Sequence, residues 1–287
     1  LNVWKEIENL CIKHDCPLLF PGDLFHNPKH LSNRLLNMVL PTLVETPIKV
    51  IGIDGNHDQD GISTTEKFPY TYMKLLQSLS SSWHNLNFNY FIIDDDTTIY
   101  GIPYLTHNIG FKEYIENIKL DPGINILLIH TDLPGALDTS GREVGTAEGI
   151  SKQYSKLFKK FDLVLAGHIH KPQKLASNVI MVGAPQQQNR GDRNCEFGYW
   201  AIYDDLSTEF FKIDSPQFKT TDSLDDTDGY NYWDIEAIKV LDNQDSKKNK
   251  KPKTEKEVIN SYIKDSGINK NRAKMLKRLI NKAKDEH

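Results

Sequence analysis

At 287 residues, with 38% hydrophobic and 26% charged residues, the chain can bury a full core and carry a small appendage. Its net charge of −4 divides unevenly, because residues 245–287 hold 14 Lys and Arg against 6 Asp and Glu, a basic tail behind an acidic body that suits an anionic partner or an acidic protein surface. No apolar run reaches membrane-spanning length, the opening LNVWKEIENLCIKHD is amphipathic rather than signal-like, and Cys11, Cys16 and Cys195 lack disulfide, ribbon or redox spacing, so a cytoplasmic protein with no membrane partner is expected.

Val3, Trp4, Ile7, Leu10 and Cys11 make a helical stripe over the segment Trp4 to His14. CPLLFPGD then reads as a short buried strand ending in a turn. In HNPKHLSNRLLNMVLPTL, Asn27 suits an N-cap and Pro28 the first helical position, and Pro41 is expected to end the helix. IKVIGIDGNHD is a second buried strand, breaking at Gly55. Helix, strand, helix, strand, with polar residues after each strand, is the alternation of a layered α/β fold whose sites gather beyond the carboxyl ends of strands. Residues 63–80 carry a helical pattern interrupted by Pro69, and FNYFIIDDDTTIYGIPYL reads as a hairpin.

A helix near 111–119 leads into INILLIHTD, a buried strand with His130 at its end. GALDTSGREVGTAEG is too long for a mere connector and is placed over the expected site. After a short helix over Ser151 to Lys159, FDLVLAGHIH forms a buried strand that delivers His168 and His170 past a glycine. Residues two apart in an extended chain face the same side, so both imidazoles can line one cleft, about 6.6 Å apart along the backbone. NVIMVGAP, EFGYWAIYDD and STEFFKI are expected to be consecutive antiparallel strands. The predicted fold is α/β, a two-sheet β-sandwich flanked by helices with a small C-terminal helical appendage.

Beyond this body, residues 215–244 show an acidic turn-rich piece (SLDDTDG) and one strand (YWDIEAIKV), and SKKNKKPKT is a charged linker. Two helices follow, with stripes at Val258, Ile259, Tyr262 and Ile263 and at Met275, Leu276, Leu279 and Ile280. Each stripe is too narrow to make its own core. The expected domains are 1–214, a short capping or linker region 215–244, and a basic linker with a helix pair over 245–287.

Four stretches stand after predicted strands: Gly22-Asp23, Gly55-Asn56-His57-Asp58, His130, and Gly167-His168-Ile169-His170. Singly, Asp23 could cap a helix, Asn56 could fill a turn and His130 could be a satisfied core histidine. Together they supply carboxylate, amide oxygen and imidazole at the ends of one set of strands. Asp23 can bridge two divalent ions, and the mixture suits Mn²⁺, Fe or Zn²⁺. Two such ions acidify a water and neutralise a phosphate during in-line attack, so a phosphoester hydrolase follows.

GD, GNHD, a strand-terminal His and GHIH, in this order, resemble the calcineurin-like metallophosphoesterase superfamily over roughly residues 1–214. GDLFH at Gly22 to His26, GNHD, and GAPQQQNRGD at Gly183 to Asp192 resemble in particular the SbcD-like DNA repair nuclease subunits and their bacteriophage recombination endonuclease counterparts. The resemblance implies a metal-dependent DNA exonuclease or endonuclease with two divalent ions, first of all Mn²⁺, acting in double-strand-break repair or recombination. It makes Asp23 the bridging ligand, gives Asn56, His130 and His168 to one ion, and gives His170 to the other. His57 becomes the general acid or transition-state stabiliser with Asp58 orienting it, and His26 a nucleic-acid contact. DNA, an SbcC-like coiled-coil ATPase subunit docked by the C-terminal helices, and a homodimer are the implied partners, in the host cytoplasm if the protein is viral.

The family's first motif, an Asp-x-His strand, lies upstream of the helix on which this sequence opens, and the chain begins with Leu1. The expectation is an amino-terminal fragment of a longer protein, weakly active or inactive because one ion keeps only Asp23 and His170. The alternatives are a phosphatase or phosphodiesterase on another substrate, or a catalytically impaired assembly subunit. Protein phosphatases extend the GD motif with Asp-Arg-Gly, which Phe25-His26-Asn27 does not match.

Overall fold

Along one strand, Ile126 and Leu128 turn to one side and Leu127 and Ile129 to the other, and all four are buried. A strand covered on both faces reads as a continuous apolar run, which is why its sequence shows no alternation. In the computed structural model, residues 2–25, 33–59, 71–106, 110–144, 152–188, 192 and 195–214 are described. The chain divides into two units, Leu1–Thr220 and Thr221–His287, and the described residues all belong to the first. His26, the helix start at Asn27 and Pro28, Pro69, and everything expected over 215–287 lie outside the described residues.

The order of elements is α1 (Asn2–His14), β1 (Leu18–Phe20), α2 (Asn33–Val44), β2 (Val50–Gly52), α3 (Tyr72–Leu79), β3 (Trp83–Asn85), β4 (Asn89–Asp94) and β5 (Thr97–Ile102). There follow α4 (Phe111–Asn117), β6 (Ile124–His130), a 3-10 helix (Lys152–Lys160), β7 (Leu163–Gly167), β8 (Gln173–Ala176), β9 (Val179–Met181), β10 (Gly198–Ile202) and β11 (Thr208–Lys212). Strands β1, β2 and β3 form a parallel sheet with β1 at its edge. A second sheet has the order β4-β5-β6-β7-β9-β8, its central neighbours parallel and its two edges closed by antiparallel hairpin partners. β10 and β11 pair antiparallel.

Burial explains the layering. Ile51, Ile53 and Leu86 from the first sheet and its exits meet Ile99, Ile126, Leu128, Leu163, Leu165 and Ile180 from the second. The far face of the six-stranded sheet packs Leu127, Ile129, Val164 and Ala166 against Phe111 and Ile115 of α4 and Phe158 of the 3-10 helix. The far face of the smaller sheet packs Val50 and Trp83 with Cys11 of α1, Leu43 of α2, and Met73 and Leu76 of α3. Sheets in the middle and helices outside match the predicted fold class.

Two local expectations are corrected, and two strands are added. Pro41 lies inside α2, which continues to Val44. Pro41 and Asn37, whose carbonyl loses its intrahelical donor, are exposed, while Leu43 beyond them is buried and its carbonyl accepts from Trp83 Nε1 at 2.7 Å. NVIMVGAP does not begin an antiparallel run with the later strands: β9 lies parallel to β7 and antiparallel to β8 in the large sheet. β3 and β8, short and carrying His, Asn, Gln and Lys, were not anticipated from the sequence pattern.

Candidate metal centre

The four strand ends reach one place because of register. Phe20 at the end of β1 stands beside Gly52 at the end of β2, and His130 at the end of β6 stands beside Gly167 at the end of β7. The chain then turns sharply at glycines. Gly22 has φ +95°, and a Cβ there would collide with His130 Nδ1; a Cβ on Gly55 would collide with Asp23 Oδ1. Asp23 itself has φ 61° and His168 φ 97°, both in the region side chains rarely adopt.

Asp23, Asn56, His130 and His168 converge. His130 Nε2 lies 3.0 Å from Asn56 Oδ1, 3.3 Å from His168 Nδ1 and 3.2 Å from Asp23 Oδ2, and His168 Nδ1 lies 2.9 Å from Asn56 Oδ1. The ligand atoms of Asp23, His130 and His168 all fall within 4.8 Å of one another. Donors bound at about 2.0–2.2 Å around one ion stand roughly 3 to 3.5 Å apart, so the set fits a divalent metal.

Burial and the facing charges set the electrostatics of this group. His130 is buried, and its Nδ1–H donates to the Pro21 carbonyl at 2.7 Å, which turns Nε2 toward the other donors. Burial opposes charge on this ring, but the facing Asp23 carboxylate wins and raises its pKa. Burial likewise works against the Asp23 carboxylate, yet the His130 charge and hydrogen bond and the His57 N–H hold it down to about 2. His168 is pushed down to about 4, by burial first and then by the neighbouring His130, and stays neutral.

Asp58 ties two of the loops together. Its carboxylate accepts from the backbone N–H groups of Asp23 at 2.6 Å, Leu24 at 2.9 Å and Gly55 at 2.9 Å. Burial, with the charges of Asp23 and Asp54 adding to it, pushes Asp58 up to about 7. His57 is half-buried beside it and donates its backbone N–H to Asp23 Oδ1 at 2.9 Å. His170 is not in the converging group; its Nδ1 lies 3.1 Å from Asp192 Oδ2. His26 lies outside the described residues.

Three neighbours were not legible as site residues in the sequence. Asp132 Oδ1 lies 3.4 Å from His168 Nε2, Asp192 holds His170, and the Tyr104 ring sits 5.9 Å from that of His168. Each carries a weak signal: Asp132 follows His130 by two residues, Asp192 closes the GAPQQQNRGD motif, and Tyr104 ends an aromatic hairpin run. A cavity of about 1540 Å³ runs along the open edge of β1, past Leu18 and Phe20, to Asp23, His168 and His170.

The chain is 24% identical over 202 residues to the SbcD subunit of the nuclease SbcCD from Staphylococcus saprophyticus subsp. saprophyticus, an alignment covering 61% of this chain and 51% of that protein. It thus spans about half the length of the curated relative it matches. Among solved structures it is similar to TT1561 of Thermus thermophilus, with a TM-score of 0.46 and 13% identity over 74% of this chain and 92% of that one. Residues 2–172 match the calcineurin-like phosphoesterase family, a stretch that takes in every donor of the centre, and the chain belongs to that family.

Proposed function

We propose that the chain is a metal-dependent DNA nuclease that hydrolyses phosphodiester bonds at the centre made by Asp23, Asn56, His130 and His168. The observation that carries this is the convergence of those donors, with spacings of 2.9 to 3.3 Å, from the ends of four strands. When bound there, divalent ions, two Mn²⁺ in this reading, supply Lewis acidity to a phosphoryl oxygen and counter-charge to the phosphate.

The chain's own residues do the rest. Asp23 is pinned through Oδ1 by the His57 N–H, which leaves Oδ2 toward the donors. Asn56, His130 and His168 would hold one ion, and His170 would join Asp23 at the other. As a water oxygen attacks phosphorus and the phosphorus–oxygen ester bond breaks, the His57 ring gives its proton to the departing alkoxide. Asp58 fixes the loop that carries His57 by accepting the three backbone N–H groups.

DNA as substrate is supported by the GDLFH, GNHD and GAPQQQNRGD motifs and by the similarity to a protein named as a nuclease subunit. The role in repair or recombination, alone or as a homodimer with an SbcC-like ATPase docked on residues 245–287, belongs to the same reading, as do His26 as a DNA contact and the division 1–214, 215–244 and 245–287.

The test is an assay on linear duplex and hairpin DNA, and on small phosphate esters, with and without Mn²⁺. We expect Mn²⁺-dependent cleavage of DNA, weak because one ion would keep only Asp23 and His170, with His57→Ala slower by roughly a further 10²–10⁴-fold while still binding the ion. Hydrolysis of small esters without DNA cleavage would overturn the substrate, and ion binding without any hydrolysis would favour an assembly subunit.

A further inference from the structure

Residues 183–188 and Asp192 contribute no donor to the converging group, yet both ends of this stretch lie against His170 and the residues that follow it. Gly183 has φ +79°, and a Cβ there would meet Pro172 N at 2.6 Å, so the segment lies hard against the chain that follows His170. Ala184 N–H donates to the His170 carbonyl at 2.9 Å. At the other end Asp192 is 1% exposed, and its Oδ2 accepts the Gln188 N–H at 3.0 Å and faces His170 Nδ1 at 3.1 Å. A carboxylate buried without partners is strongly disfavoured, so these contacts keep it there.

The chemistry of that contact fixes a tautomer. A carboxylate oxygen can only accept, so the proton of a neutral His170 ring sits on Nδ1 and the lone pair on Nε2. His168, two residues earlier, turns the other nitrogen to the centre: its Nδ1 lies among the Asn56 and His130 donors. The two histidines of Gly167 to His170 thus present different ring nitrogens, each with a carboxylate on the opposite nitrogen: Asp132 Oδ1 lies 3.4 Å from His168 Nε2, and Asp192 Oδ2 lies closer, 3.1 Å from His170 Nδ1.

We infer that Asp192 is a positioning residue that holds His170 as the Nδ1–H tautomer, aiming the Nε2 lone pair for a divalent ion. It acts through His170, and it rests on the reading of the centre given above. It also gives a function to Asp192, the last residue of the GAPQQQNRGD motif.

The test reads the ring directly. In the full chain with ¹⁵N-labelled histidine and no added metal, at about pH 8 where an ordinary histidine is neutral, the His170 nitrogens should show the Nδ1–H pattern. Asp192→Ala should move them toward the Nε2–H pattern and weaken Mn²⁺ binding, measured by calorimetry, roughly 10–100-fold. Asp192→Asn keeps an acceptor oxygen, so the Nδ1–H pattern should persist with a smaller loss of affinity. An Nε2–H pattern in the unsubstituted chain, which needs no variant to fold, overturns the inference, as does an Asp192→Ala ring that stays Nδ1–H. A tautomer that switches with no change in ion affinity would leave Asp192 orienting His170 and contradict His170 as a ligand.

Discussion

Asp23 and His168 hold backbone angles, φ 61° and 97°, that cost about 1–3 kcal/mol each in a side-chain-bearing residue. Both side chains belong to the converging group, so the strain sits where the candidate centre is built. Asp58 shows how it is held, since its buried carboxylate accepts the N–H of Asp23 itself and of Leu24 and Gly55. Away from the centre Glu8 plays a purely structural part. Burial opposes its charge, but Lys5 at 2.6 Å and Thr46 Oγ1 at 2.6 Å outweigh it and lower its pKa. The unfolded chain therefore takes up the proton first: the contribution of Glu8 is complete above the ordinary glutamate value of about 4.3 and is lost as pH falls through the lower folded value. Urea midpoints between pH 7 and pH 3 should fall less steeply below that point for Glu8→Gln than for the unsubstituted chain; parallel curves would contradict the assignment. The donors themselves were legible because each is a polar residue abruptly ending an apolar run. The angles at Asp23 and His168 were not, and neither were Asp132 and Asp192, because a single carboxylate has no spacing that marks it as a histidine's partner.

At the scale of elements, tertiary packing overrode a strong local signal at Pro41. Proline removes one helical hydrogen bond, but the residues beyond it, Leu43 and Val44, belong to the cluster around Trp83. Trp83 is 1% exposed, stacks on Trp4 with centroids 5.6 Å apart, and anchors the end of α2 through its Nε1. Trp83→Ala should destabilise the protein by roughly 3–5 kcal/mol, read from urea unfolding, and Trp83→Phe by less, because the ring remains and only the Leu43 carbonyl loses its donor. If Phe proved as damaging as Ala, the hydrogen bond rather than the packing would carry this junction. β3, which Trp83 opens, was hidden because three residues ending in His and Asn show no periodicity. The doubly buried β6 and β7 were plain for the opposite reason, a run of apolar residues too short for a helix and bounded by polar ones.

For the molecule as a whole, the sandwich explains why these residues form a site at all. Parallel strands β1 and β2 in one sheet and β6 and β7 in the other end on the same side, so two sheets contribute donors to one point that neither sheet could build alone. The order of layers followed from the alternation of elements, whereas the pairing of β9 beside β7 could not be read, since hydrophobic pattern identifies a buried strand without naming its neighbour. No helix among the described residues is long and apolar enough to cross a membrane. The most direct measurement of the central claim is an anomalous-scattering map from crystals of the chain soaked in Mn²⁺. The account predicts an ion at about 2.0–2.2 Å from His130 Nε2 and His168 Nδ1, with Asn56 Oδ1 and Asp23 Oδ2 completing its shell, and its loss in His168→Ala. Well-ordered crystals with no ion at this point, or with Mn²⁺ bound only elsewhere, would contradict it.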